Sequence, residues 1–128
     1  MTGISPRQLE DALLACARGI RHLEAGTSLL IDCGTWLHRE DLTSRFITTG
    51  TSITDSATLL ASLDWEGATA ALHAGELPAS SGERRMLLLA ASIAGGIPVS
   101  LSDTLPGIDH RNARLAVSAV AHATGLPN

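Results

Sequence analysis

A chain of 128 residues with a formal net charge of −4 is long enough to bury its own core without a metal or a disulfide, and it offers no broad positive field to a phosphate backbone or an anionic membrane. All nine of its basic residues other than His are Arg, which rules out a Lys-bearing phosphate loop, and 20 Leu and 19 Ala against 3 Val and three aromatic residues favour helices over strands. Charged residues make up only 17%, below the roughly 25% of typical soluble domains, so apolar surface is left for a second copy or another protein to cover.

In chain order, Met1 to Pro6 lacks the basic start and apolar run of a signal peptide, and no segment approaches 18 consecutive apolar residues. With Cys16 and Cys33 inside apolar helical patterns, the expected compartment is the cytoplasm. Ser5-Pro6-Arg7-Gln8 combines an N-cap Ser, a Pro at the first helical position and a Gln at the third, which starts a helix. Apolar residues follow at Leu9, Leu13, Cys16, Ile20 and Leu23, and the pattern resumes at Leu30, Cys33 and Leu37. This predicts one long bent helix over residues 6–37, or a closely coupled pair broken at Gly26-Thr27. Leu14 lies off the seam and is the candidate contact for self-association.

His38 to Asp41 reads as a turn into a short helix carrying Leu42 and Phe46. Thr48 to Ser52 reads as a loop joining two possible sub-bundles, 1–47 and 54–128, although Phe46 to Thr54 is the one segment with strand character. Thr54 or Asp55 can cap a helix with Leu59, Leu60 and Leu63, and Asp64 can cap another running from Trp65 to Ala74, with Gly75 past its end. Ser80 and Glu83 form a second capping box, opening a helix that is apolar nearly all round, should be the central one, and stops at Gly95-Gly96. Ser100 to Asp103 starts a single turn. Asp109 caps the last helix, His110 to about Ala123, with Ala113, Ala116, Val117 and Val120 inward. Together these elements predict a single all-α domain over residues 1–128, a compact orthogonal or irregular bundle of about six or seven short helices.

Three groups of residues bear on function. Residues 65–94 have helix-turn-helix proportions and would set Arg84 and Arg85 at the start of a recognition helix, but the net charge and the apolar run Met86 to Ala91 argue against nucleic acid. Asp109, His110, Arg111 and Arg114 form the densest polar cluster, suited to a binding patch or an acid/base pair, with an N-cap Asp and a solvated first turn as the simpler reading. The His residues, at 22, 38, 73, 110 and 122, show no metal-ligand spacing, so neither a metal nor a cofactor is expected. The reading that results is a protein interaction or self-assembly module without evident catalytic chemistry. A DNA-binding regulator and a small enzyme using the Asp109/His110 region are the alternatives.

Overall fold

Ser5 closes the first helix by local hydrogen bonding alone: its hydroxyl accepts the Gln8 N–H at 3.1 Å, while Gln8 Oε1 accepts the Ser5 N–H at 2.8 Å. Helix α1 (Pro6–Ala17) starts there. The computed structural model, which describes residues 4–54 and 57–127, is compact and mostly helical, with seven α-helices and a small two-stranded sheet among those residues. The fold is therefore not strictly all-α.

The chain turns at Gly19, whose φ of +88° is open to glycine at no steric cost, and α2 (Arg21–Cys33) follows. The break lies before Gly26-Thr27, and Gly26 instead sits inside α2 at a close helix crossing. A Cβ there would fall 2.4 Å from Ala94 Cβ and 2.6 Å from the Ala90 carbonyl oxygen. Ile20, expected on the inward seam, occupies the turn and is 46% exposed.

A single 3-10 turn (Trp36–His38) leads into α3 (Glu40–Phe46), whose Leu42 is buried as its spacing implies. Strand β1 (Ile47–Thr51) then pairs antiparallel with β2 (Leu59–Leu63), from Ile47 opposite Leu63 to Thr51 opposite Leu59. The expected loop at Thr48 to Ser52 is thus mostly strand, and so is the expected helix at Leu59 to Leu63. In β2 the burial alternates as a pleat demands, with Ala61 and Leu63 buried and Ser62 exposed between them, and the strand packs on α1. Of the two proposed caps, Thr54 starts no helix, and Asp55 lies outside the described residues.

Asp64 caps α4 (Trp65–His73) through the Gly67 N–H, and the Ser80/Glu83 capping box opens α5 (Ser81–Gly95). Helix α5 packs on α2 and α4, buries Met86, Leu87, Leu89, Ala90, Ala91 and Ala94, and leaves Leu88 half-buried. Both of its ends are tied: Trp36 Nε1 donates to the Glu83 carbonyl at 2.9 Å, and His22 Nδ1 donates to the Ala94 carbonyl at 3.0 Å. A short α6 (Leu101–Thr104) precedes α7 (His110–Thr124), which packs on α2 and α5. Ala116 and Ala119 face the core from α7, whereas Val117 and Val120, expected inward, face out. One hydrophobic cluster draws on residues from Leu9 to Ala119. Among the described residues no helix is long and apolar enough to cross a membrane.

Candidate functional site

Arg84 and Arg85 stand just after the capping box of α5, where a cation opposes the helix dipole, so helix stability does not account for them. Arg84 turns back to the end of α4. Its Nη2 donates to His73 Nδ1 at 3.0 Å and its Nη1 to the Leu72 carbonyl at 3.4 Å. A guanidinium has no acceptor, so His73 Nδ1 accepts, and in the neutral ring Nε2 carries the proton. Arg85 Nη1 donates to Ser81 Oγ at 2.6 Å, and its guanidinium lies over Gly107, where a Cβ would come within 2.9 Å of it. These side chains and the segment Pro98–Thr104 wall a cleft of about 360 Å³, to which Ser81, Leu88 and Asp103 also contribute. Among the described residues neither Arg84 nor Arg85 has a carboxylate within salt-bridge distance.

The same two residues bear on the helix-turn-helix alternative. From Gly82 to Ala94 every residue of α5 is buried or half-buried, so the helix has no open face to lay in a groove. Arg84 is also engaged with α4.

Asp109, His110, Arg111 and Arg114 separate into different tasks. Asp109 caps α7, accepting the Asn112 N–H at 2.7 Å and Asn112 Nδ2 at 3.2 Å. His110 is exposed, and among the described residues nothing hydrogen-bonds to its ring. Arg111 reaches α2, where Nη2 donates to the Asp32 carbonyl at 2.7 Å and Nη1 to the Cys33 carbonyl at 3.5 Å. That places a cation on the negative end of the α2 dipole. Arg114 is exposed and has no partner among the described residues. The simple reading of an N-cap and a solvated turn describes Asp109 and His110, while the tie from Arg111 to α2 carries no signal in the sequence.

The far end of α7 is held by Glu24, which accepts His122 Nε2 at 3.0 Å and the Gly19 N–H at 3.0 Å. The His122 contact first, then the Gly19 N–H, keep the Glu24 carboxyl below the usual carboxylate range. Arg39, stacked 4.4 Å over the Trp36 ring, likewise holds the Asp41 carboxyl low through their paired side chains.

Between its two tied ends, α7 carries an outward row, Val117, Val120 and Thr124, at steps of three and four. Val117 is 70% and Val120 53% exposed. The sequence pattern set Ala113, Ala116, Val117 and Val120 inward; Ala116 is buried and Ala113 half-buried, but both valines are exposed. Ala116 and Ala119 take the core positions, where small side chains let helices approach closely. Leu14, the candidate contact on α1, is 37% exposed. A further cleft of about 340 Å³ opens between the start of α1 and α3, with His38 and Glu40 on its wall, but no hydrogen bond joins those two among the described residues. No group of three or more His, Cys, Asp or Glu suited to a metal occurs among the described residues. Comparisons with protein-family models, with curated proteins and with solved structures found no match to this chain.

Proposed function

We propose that this chain is a self-assembly module in which α7 of one copy packs antiparallel on α7 of a second. The observation that carries the proposal is the uncharged, exposed row Val117, Val120 and Thr124 on a helix already anchored to its own core on the opposite side. A two-fold axis near its middle sets Val117 of each copy against Val120 of the other, as a self-complementary interface requires. The same pairing brings Arg114, which has no partner among the described residues, to the C-terminal turn of the facing helix, where the dipole is negative. The low charge of the whole chain fits a surface that avoids self-repulsion. One helix face is smaller than the roughly 1,200 Å² that stable interfaces bury, so the dimer is a weak one whose population rises with concentration.

Sedimentation over a wide concentration range tests this reading. Average mass should rise with concentration and persist at about 1 M salt, where screening reaches roughly 3 Å. Val117→Glu should abolish the rise without lowering the melting temperature, and Leu14→Glu should leave it in place. A monomer at every concentration refutes the proposal, and so does association that Leu14→Glu removes and Val117→Glu does not.

A further inference from the structure

Independently of self-assembly, we propose that the cleft between α4, the second turn of α5 and residues 98–104 binds a small phosphomonoester, its phosphate held by Arg84 and Arg85. Three observations converge on that chemistry. Two adjacent half-buried arginines lack any carboxylate partner among the described residues, and the acceptors they do have are the Leu72 carbonyl, His73 Nδ1 and Ser81 Oγ, none of them a carboxylate. Among the described residues Asp103 is the sole carboxylate lining the cleft, so two positive charges face one negative charge. An anion arriving there meets uncompensated charge. A guanidinium still offers N–H groups beyond those used internally, in the planar fork that matches two phosphate oxygens.

The second observation is how the two forks are held. Arg84 is braced against the end of α4, and Arg85 is seated over Gly107, where the missing side chain leaves room for it. Donors held in advance lose less conformational freedom when an anion binds. The third is the remainder of the wall. Leu88, Pro98 and Val99 supply apolar surface beside the guanidiniums, and Ser81, Ser100 and Thr104 supply hydroxyls. A volume of about 360 Å³ exceeds what a free phosphate fills and falls at the small end of the roughly 300–1,000 Å³ of ligand pockets. The ligand is therefore a phosphate attached to a ring-sized organic group, with that group against Leu88 and Pro98.

Amide NMR titration tests the proposal, using inorganic phosphate and then phenyl phosphate at constant ionic strength, above the second phosphate pKa of about 6. The expected result is saturable shifts at His73, Ser81 to Arg85 and Ser100 to Thr104, with phenyl phosphate saturating at a lower concentration. Arg85→Gln should weaken binding by roughly tenfold or more. Asp103→Asn removes the opposing carboxylate and should tighten binding several-fold, a change of sign that damage to the fold cannot produce. Absence of saturable shifts, shifts that chloride reproduces, or an affinity unchanged in either variant overturns the proposal.

Discussion

Gly26→Ala and Gly82→Ala add the same methyl group to two helices, and the structure gives them opposite signs. At Gly26 the new Cβ would meet Ala94 Cβ at 2.4 Å, the Ala90 carbonyl oxygen at 2.6 Å and the Ala94 amide nitrogen at 2.7 Å. Two of those atoms are backbone, so no flexible side chain can swing aside, and α2 must move away from α5 by about 1 Å to reach ordinary contact at 3.4 Å or more. Overpacking of this kind costs about 1–3 kcal/mol, and the near 1 kcal/mol that Ala gains over Gly in a helix offsets only part of it when backbones are forced apart. A net loss of about 1–2 kcal/mol is expected, a sizeable share of the roughly 5–15 kcal/mol that stabilises a domain. At Gly82 nothing lies within 4 Å, so only the propensity gain remains, up to about 1 kcal/mol of added stability. Urea titration followed by circular dichroism reads both, and at this chain length each kcal/mol moves the melting temperature by about 3–5 °C. A Gly26→Ala variant with a midpoint equal to or above that of the parent would show that α2 and α5 are not in the close contact described.

Leu87→Ala, which empties a fully buried position of α5, should cost about 2–5 kcal/mol, with a smaller loss for the half-buried Leu88→Ala, both read from denaturant midpoints. Asp109→Ala should cost about 0.5–2 kcal/mol as a lost N-cap while His110→Ala stays within roughly 0.5 kcal/mol; the reverse order would revive an acid/base role for the pair. Because the Glu24 carboxyl is held below its usual range by His122 and the Gly19 N–H, its contribution to stability is present above the ordinary carboxylate pKa and is lost as pH falls through the depressed one. Glu24→Gln should therefore be less stable near neutrality and converge with the parent in acid, and parallel pH–stability curves would contradict this.

What the sequence made legible was local. Ser5/Gln8, Ser80/Glu83, Asp64, Ser100 and Asp109 each announce a helix start within four residues, and each is a cap in the structure. Placing the break at Gly19 rather than at Gly26 needed more, because the apolar steps run on through both. Gly26 sits inside α2 against Ala90 and Ala94, which lie far along the chain. Strand β1 lies within Phe46 to Thr54, the segment with strand character, but β2 was hidden for the same reason: Leu59 to Leu63 has the composition of a helix and becomes a strand by pairing with residues 47–51. The adjacent Arg84 and Arg85 were visible as a charged pair, but the wall facing them comes from residues 98–104 and could not be read from their neighbours.

The long-range hydrogen bonds at both ends of helix α2 go to residues made much later. His22 pairs with Ala94 across 72 residues, Arg111 with Cys33 across 78, and Glu24 with His122 across 98. During synthesis at roughly 5–20 residues per second, the apolar side of α2 waits about 4–20 s for the segments that cover it. Over that interval the apolar side of α2 is open surface, and a slow stretch of translation before residue 94 prolongs its exposure in proportion.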